Sequence, residues 1–311
     1  MSDPSPLPNV DPTHLPIGWL RPTWRDGTAP GMGQVVACMT GRAGGVSQGP
    51  WSGFNLGDHV GDAPEAVGVH RQTVGHLMAT LGAAPNADAE WPVAWLQQVH
   101  GVALHRLQRP LAQSAGLAAT EPVRADGVFT TEPGLVCAVM VADCLPVLLA
   151  DRFGRGVAAL HAGWRGLAGA PGPEVSPGQA GVGILEVGVH ALCEATGGSP
   201  ADLQAWLGPC IGPAHFQVGA EVLLAFGADP EKEGAQARFR PDPSTPMTTA
   251  GRRWLADLPG LATDRLRCAG VVDISGGDWC TVTRPEHFYS YRRDGVTGRQ
   301  AALIALKPPG G

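Results

Sequence analysis

The feature that most constrains the fold is a series of apolar runs between residues 135 and 161. Three segments there are rich in Val, Leu and Ala and have the length of buried strands, namely residues 135–141, 147–150 and 156–161. Residues 151–156 separate the last two runs and have the composition of a turn. The stretch therefore predicts neighbouring strands inside a protein core.

Further segments of the chain predict the remaining strands and helices. The other strand candidates are residues 34–40, 93–97, 102–107, 203–207, 288–292 and 301–306. The helix candidates are residues 64–82, 184–196, 219–226 and 248–258. In the first of these, apolar residues recur at helical spacing behind Asp62, which has the residue type of an N-cap. The Gly- and Pro-rich residues 168–181 and the polar residues 231–246 predict exposed loops.

The order of these segments predicts the fold class. Strands come first, and helices lie between the later strands, which favours a mixed α/β (α+β) protein. We expect a single domain with packed mixed β-sheets flanked by helices over residues 17–311, because no linker divides this range. Residues 1–16 are rich in Pro, Asp and Ser and predict a disordered N-terminal tail.

Charge and hydropathy exclude several classes of partner. The net charge is −6 and no block of Lys or Arg occurs, so neither nucleic acid nor an anionic membrane surface is an expected partner. No apolar run reaches the roughly 20 residues that a membrane helix needs, and the N-terminus lacks the pattern of a signal peptide. The seven cysteines contain no CxxC pair, which suits a reducing compartment, and we expect a cytoplasmic protein.

Three short polar motifs lie at the edges of predicted strands. QQVHG contains His100, ADCLP contains Cys144 and HAGW contains His161. Imidazole and thiolate groups bind zinc and copper, and a catalytic zinc takes three protein ligands and keeps one position open. A buried cysteine is more often a small apolar core residue, however, and a single histidine at a strand end is commonly only hydrogen-bonded. Taken one at a time, the motifs leave both interpretations open.

Seven motifs, in this order, resemble the multicopper polyphenol oxidase, or laccase-domain, family, which is also described as zinc-containing purine nucleoside phosphorylases. The motifs are TGRAGGVS, NLGDHVGD, QQVHG, ADCLP, HAGWRG, GPCIG and FYSYRRDG, and the resemblance extends over about residues 34 to 306. It implies that His100, Cys144 and His161 bind a catalytic metal. Zinc is the expected ion, and copper is the alternative.

Two positions depart from the family pattern. Gly41 stands where the family commonly has Thr before the arginine, but Arg42 itself is present. Thr283 stands where many relatives have a second cysteine, so this chain lacks any metal or redox role of that cysteine. Neither position is one of the three implied ligands, and we expect the metal site to be retained.

The resemblance also implies an activity. The family is associated with phosphorolysis of adenosine, inosine and methylthioadenosine, and with adenosine deamination, so purine nucleoside and phosphate are the expected partners. The predicted substrate contacts are Arg42, Asn55, His59, Arg165 and Arg292, and arginine matches phosphate oxygens well. Asp143, beside the implied cysteine ligand, is the candidate acid/base residue and completes the predicted catalytic set. The oligomeric state is left open, and a monomer is compatible with the sequence.

Three other functions remain as alternatives. A copper-dependent polyphenol oxidase would use the same ligands with Met140 as a weak axial ligand, but the ten histidines include no HxH pair of the kind that a trinuclear copper centre uses. A zinc amidase that edits peptidoglycan precursors would use the same metal. A non-catalytic metal-binding protein is disfavoured because a closed structural site would need a fourth ligand. We therefore rank purine chemistry first.

Overall fold

The computed structural model describes residues 15–82, 89–109, 122–169, 181–232, 234, 236–245 and 252–308. The strands in these residues are β1 (Val35–Met39), β2 (Val93–Ala94), β3 (Leu104–Arg106), β4 (Gly127–Thr130), β5 (Val136–Val141), β6 (Leu145–Asp151), β7 (Val157–Ala162), β8 (Leu203–Leu207), β9 (Gln217–Val218), β10 (Phe239–Pro241), β11 (Trp254–Ala256), β12 (Asp273–Gly276) and β13 (Gln300–Leu306). The α-helices are α1 (Pro64–Leu81), α2 (Trp164–Ala168), α3 (Ile184–Thr196), α4 (Ala220–Ala225), α5 (Leu258–Cys268) and α6 (Tyr291–Asp294).

Two large sheets pack face to face, and helices cover their outer faces. One sheet has the strand order β1-β13-β5-β2 and the other β12-β8-β6-β7-β4-β3. Helix α1 packs on the outer face of the first sheet, and α3 and α5 pack on the outer face of the second. Each sheet contains both parallel and antiparallel pairs. This confirms the predicted mixed α/β fold with packed mixed sheets flanked by helices.

The apolar runs of the sequence follow from this layered arrangement. Successive side chains of a strand point to opposite faces of the sheet. In β5, Cys137 and Val139 face the second sheet, whereas Ala138 and Met140 face the layer of α1. Because both faces are buried, every position is apolar and the usual alternation with polar residues is absent from this strand.

A smaller antiparallel sheet, β10-β11-β9, includes two regions that the sequence analysis predicted incorrectly. The predicted loop 231–246 contains β10, and the described part of the predicted helix 248–258 contains β11 and the start of α5. Asp257 explains the wrong prediction over residues 248–258. It is the N-cap of α5, and its carboxylate accepts the N–H of Gly260, so a helix begins where one was predicted to end.

Two further local predictions are wrong. Residues 288–292, predicted as a strand, instead lead into α6. Phe288 and Tyr289 are fully buried but form no strand, so the apolar signal there reflected burial alone. Ala63 is the N-cap of α1, whereas the carboxylate of Asp62 accepts hydrogen bonds from Ser47 and from the amide of Asn55.

Some expectations concern residues beyond this description. Residues 1–14 of the predicted tail and 170–180 of the predicted loop 168–181 lie outside the described residues. The domain boundaries at residues 17 and 311 stay a prediction. No helix within the described residues combines the length and apolar character that a membrane crossing requires.

His70 of α1 connects two segments near the first sheet. The N–H of Val46 donates to His70 Nε2 at 2.8 Å, so Nε2 is an acceptor and Nδ1 carries the proton, 2.7 Å from the carbonyl oxygen of Asn55. The side-chain oxygen of Asn55 accepts the N–H of Arg299 at 2.8 Å. A neutral His70 therefore supports a hydrogen-bonded chain that ends at the Arg299 backbone.

Burial lowers the pKa of His70, and this predicts a loss of stability in acid. The unfolded chain protonates His70 near its ordinary pKa of about 6.5. Its contribution to the free energy of unfolding is therefore full above that value and is lost as the pH falls through the lowered pKa of the folded state. Urea denaturation of the wild type should show a steeper loss of stability between about pH 7.5 and 5 than denaturation of His70→Gln. Equal pH dependence of the two proteins would contradict this account.

Candidate metal centre

Cys144 lies in the short connection by which the chain passes from one large sheet to the other. β5 of the four-stranded sheet ends at Val141, and β6 of the six-stranded sheet begins at Leu145. Three residues therefore span the gap between two packed layers. The thiol of the last of them is half-buried and lies directly at the start of a fully buried strand.

Asp143 gives this connection its shape. Its φ is 93°, in the left-handed region that residues other than glycine seldom adopt. Its carbonyl accepts the N–H of Ile211 at 2.9 Å, and its two carboxylate oxygens accept the hydroxyl of Thr281 at 2.5 Å and the N–H of Arg292 at 2.6 Å. Asp143 therefore positions Cys144, and its assignment as an acid/base residue stays a prediction.

His161 is oriented by a buried carboxylate, that of Asp126. Gly127 of β4 pairs with Leu160 of β7, and this register places Asp126 beside His161. His161 Nδ1 lies 2.9 Å from Asp126 Oδ1, and the His161 N–H donates to the Asp126 carbonyl at 2.7 Å. Because an ionised carboxylate only accepts hydrogen bonds, Nδ1 carries the proton and Nε2 is the nitrogen that can bind a metal.

The same carboxylate also shapes the turn that carries His100. It accepts the backbone N–H groups of Val99, His100 and Gly101, the last at 2.6 Å. His100 has a φ of 61°, which is again the left-handed region. Such a conformation persists only where the surrounding structure determines it, and three N–H groups directed at Asp126 provide that constraint.

The three side chains converge on one point. The candidate ligand atoms of His100, Cys144 and His161 all lie within 4.8 Å of one another, and Cys144 Sγ is 3.8 Å from His100 Nε2. Tetrahedral zinc separates a nitrogen and a sulfur ligand by about 3.5 Å, so the donor set and its spacing fit such an ion after small side-chain movements. A Cβ at Gly163 would lie 3.1 Å from Cys144 Sγ and 3.2 Å from His100 Cδ2, so the glycine leaves room for both ligands.

The electrostatics of the protein alone prepare the thiol for metal binding. Burial opposes ionisation of Cys144, but the charge of His161 and a hydrogen bond with His100 outweigh it and lower the pKa of the thiol to about 6. Burial likewise opposes the charge on His161, but the Cys144 thiolate and Asp126 raise the pKa of His161 to about 9. The thiolate is the form of cysteine that binds metals.

The three candidate metal ligands open into a cavity of about 440 Å³, within the usual range for small-molecule sites. Its walls combine apolar side chains with cations. The apolar lining residues include Trp164, Ile211, Phe216 and Leu258, and the polar or charged ones include His59, Asp143, Arg165, Tyr291, Arg292 and Arg299. The arrangement can hold a flat, partly apolar molecule together with an anion.

Three of the five predicted substrate contacts lie in this cavity, namely His59, Arg165 and Arg292. Arg165 is exposed at the wall. Arg292 is restrained, because its guanidinium donates to the carbonyl oxygens of His215 and Gln217 at 3.3 and 3.2 Å. The structure therefore brings these three together with the metal ligands, and their roles in binding stay predictions.

The other two predicted contacts are Arg42 and Asn55, and in the described part of the chain they lie outside the cavity lining. The guanidinium of Arg42 stacks on Tyr289, 5.0 Å from the ring centre, and lies 3.7 Å from Asp294. Asn55 is fully buried and holds the Arg299 backbone from behind the cavity wall. Contact of either side chain with substrate stays a prediction that this geometry does not support.

Sequence reasoning missed two residues of the site, Asp126 and Arg299. Asp126 precedes β4, a strand that was not predicted, and an acidic residue directly before a buried strand was the available signal. Arg299 precedes β13, and its guanidinium donates to the carbonyl oxygens of Thr297 and Gly298 at 3.1 and 3.0 Å. These two hydrogen bonds hold the cation in place at the wall, and burial lowers the pKa of Arg299.

Comparisons with known proteins extend over nearly the whole chain. The family model described as multi-copper polyphenol oxidoreductase laccase matches residues 36–307. The chain is 43% identical over 273 residues to purine nucleoside phosphorylase YfiH of Escherichia coli, covering 88% of this chain and 94% of that protein. It is 40% identical over 290 residues to purine nucleoside phosphorylase PA4543 of Pseudomonas aeruginosa, covering 93% and 98%. The crystal structure of Neisseria meningitidis protein NMB0706 matches with a TM-score of 0.70 at 36% identity, covering 94% of this chain and all of that one.

Replacement of Asp126 should weaken metal binding. Asp126→Asn removes the charge that orients His161 and holds the His100 turn, and loss of such a partner commonly lowers metal affinity by about 10- to 100-fold. The matched control is Asp151→Asn, because Asp151 is also a fully buried carboxylate that accepts turn N–H groups, but lies at the far end of β6 from Cys144. Chelator competition should show weaker zinc binding for Asp126→Asn alone, even if both variants unfold more easily. Equal affinity of the two would contradict the role of Asp126.

The lowered pKa of Cys144 predicts unusual thiol reactivity in metal-free protein. The alkylation rate of Cys144 by iodoacetamide, followed by mass spectrometry of the modified peptide, should rise with a midpoint near pH 6, because the thiolate is the reacting form. Cys144→Ser should remove this fast reaction, and added zinc should protect the thiol. A midpoint at or above the ordinary thiol pKa of about 8.5 would contradict the thiolate assignment.

Proposed function

This chain belongs to the multi-copper polyphenol oxidoreductase laccase family, as its motifs predict, and we propose that it is a zinc-dependent purine nucleoside phosphorylase. The proposed reaction converts adenosine, inosine or methylthioadenosine and phosphate into the free base and ribose 1-phosphate. One observation carries the proposal: a group of three candidate metal ligands opens into a cavity that has an apolar wall and three arginines. The names of the relatives from E. coli and P. aeruginosa support it.

We assign zinc to His100, Cys144 and His161. Two imidazoles and one thiolate suit this ion and leave a coordination position for a substrate atom. Bound there, zinc would supply a Lewis acid that polarises an oxygen atom in the cavity. Asp126 keeps the proton of His161 on Nδ1 and thereby leaves Nε2 available.

The cavity walls assign the two substrates. Arg165, Arg292 and Arg299 offer guanidinium groups to phosphate, and the last two are already restrained by backbone carbonyls. Restrained side chains lose less conformational entropy on binding. The apolar surface of Phe216 and Leu258 offers a complementary wall to a purine ring.

The geometry favours zinc chemistry over phenol oxidation by copper. Within the described residues, one group of His, Cys, Asp or Glu side chains is close enough to hold a metal ion, the group around Cys144, whereas a multicopper oxidase needs further copper ligands. The sulfur of Met140, which the oxidase alternative would use as an axial copper ligand, already accepts a hydrogen bond from Arg71 at 3.8 Å.

We keep adenosine deamination as a second proposed activity, because a metal with an open position also supports attack of water on an adenine ring.

Loss of a ligand should abolish the activity. His100→Ala, Cys144→Ala and His161→Ala should each lose stoichiometric zinc and release of free purine from inosine in phosphate buffer. Cys268→Ala is the control, because Cys268 is exposed and lies outside the ligand group. Zinc content by elemental analysis and base release by chromatography measure both effects. Full phosphorolysis by zinc-free Cys144→Ala would overturn the metal assignment.

Product analysis of the wild type decides among the reactions. Adenosine incubated with phosphate should yield adenine and ribose 1-phosphate, and omission of phosphate should stop this reaction. Inosine formed from adenosine without phosphate would show deamination. If neither product forms, the proposed function is wrong, and cleavage of peptide amides or oxidation of phenols becomes the next reaction to assay.

A further inference from the structure

Departure of a purine from a nucleoside requires a proton, and we propose that His59 donates it to the leaving base, with Asp58 and Arg71 as the residues that position His59. This inference rests on the proposed function, since it concerns the same cavity. When the bond between C1′ and N9 breaks, its electron pair stays on the purine. A proton placed on N7 neutralises that charge, which is the task of a general acid.

His59 is the lining residue best able to give up a proton to a substrate. Both carboxylate oxygens of Asp143 already accept hydrogen bonds, from Thr281 and from the N–H of Arg292. The three metal ligands are assigned to zinc, and arginine does not release its proton in proteins. Among the described cavity residues, Tyr291 is then the competitor, with an exposed phenol.

The surroundings of His59 have the form of an oriented acid. Its Nδ1 lies 3.3 Å from Asp58 Oδ1, which leaves Nε2 as the nitrogen available to the cavity. Asp58 Oδ2 is in turn 3.1 Å from a guanidinium nitrogen of Arg71. Arg71 is itself anchored, because its Nε donates to the Leu56 carbonyl at 3.0 Å and its guanidinium stacks 4.7 Å from the ring centre of Trp95.

The charge of Asp58 orients the imidazole of His59. The hydrogen bond with His59 and the nearby charge of Arg71 lower the pKa of Asp58 to about 2, although burial opposes this. The carboxylate is therefore ionised at neutral pH. An ionised carboxylate only accepts hydrogen bonds, so His59 Nδ1 donates to Asp58, and the form of His59 that also donates from Nε2 carries a proton on each ring nitrogen.

The proposed step balances in bonds and protons. An oxygen of phosphate forms the new bond to C1′ as the bond from C1′ to N9 breaks. The electron pair of the broken bond passes to the purine, and the proton moves from His59 Nε2 to N7. The products are ribose 1-phosphate and the neutral free base, and the neutral His59 then takes a proton from solvent.

The test compares two leaving groups in the zinc-loaded protein. In 7-methylinosine the purine already carries a positive charge and leaves as a neutral base, so it needs no acid. His59→Gln should lower kcat for inosine by about 100-fold or more and leave turnover of 7-methylinosine close to that of the wild type. Asp58→Asn should show the same pattern with a smaller loss, because it disturbs only the orientation of His59.

His287→Gln is the matched control. His287 is likewise a partly exposed histidine beside an acidic neighbour, with Nε2 3.5 Å from Glu286 Oε1, but in the described part of the chain it lies outside the cavity lining. It should turn over both substrates like the wild type.

Each other outcome overturns the assignment. If His59→Gln loses both substrates equally, His59 has a binding or structural role, and if inosine turnover is unchanged, His59 has no part in the reaction. If Tyr291→Phe is instead the variant that loses only inosine, the acid is Tyr291. A wild type that phosphorolyses neither nucleoside would overturn the proposed function itself, whereas the other outcomes leave it standing.

Discussion

The candidate metal centre depends on one buried carboxylate. Asp126 accepts three backbone N–H groups around His100 and also holds Nδ1 of His161, so it sets the position of two ligands at once. Buried charges are costly unless they are paired and hydrogen-bonded. Here two negative groups, the Asp126 carboxylate and the Cys144 thiolate, compensate the charge of the His161 imidazole between them. A metal ion of charge +2 would take the place of the proton on His161 Nε2 and compensate the same negative groups.

The rest of the centre depends on how the two sheets are joined. The chain crosses between layers through Asp143, and the left-handed backbone there and at His100 costs about 1–3 kcal/mol at each residue. Core strands on both sides and hydrogen bonds from Ile211, Thr281 and Arg292 determine the crossing. Because these supports come from distant segments, the Cys144 thiol is held by the tertiary structure as a whole, and local propensity has little part in it.

The features predictable from sequence were those with a local signature. Strands β5, β6, β7 and β13 appear as continuous apolar runs because both of their faces are buried. The three candidate ligands each lie within a recognisable motif, and the structure brings them together. β12 has no comparable signal: it is short, half-buried and ends in glycine.

Asp126 and Arg299 could not be located in this way either. The partners of Asp126 are backbone N–H groups up to 27 residues away and the ring of His161, 35 residues away. Those of Arg299 are the neighbouring carbonyls of a turn. Only strand pairing and burial give these two side chains a role. Arg42 lies outside the cavity lining of the described residues, and its role as a substrate contact stays a prediction. Its glycine-rich motif predicts a turn but does not indicate which cavity the turn faces.

The cavity walls restrict the choice of substrate more than the candidate metal does. A thiolate with two imidazoles supports Lewis-acid chemistry on many substrates. Restrained arginines beside an apolar face favour an anion next to a flat ring. Neither the arginines nor the engaged Asp143 can supply a proton. A reaction in which a basic fragment leaves therefore needs another donor in the cavity lining, and His59, oriented by Asp58 and Arg71, is the donor that we propose.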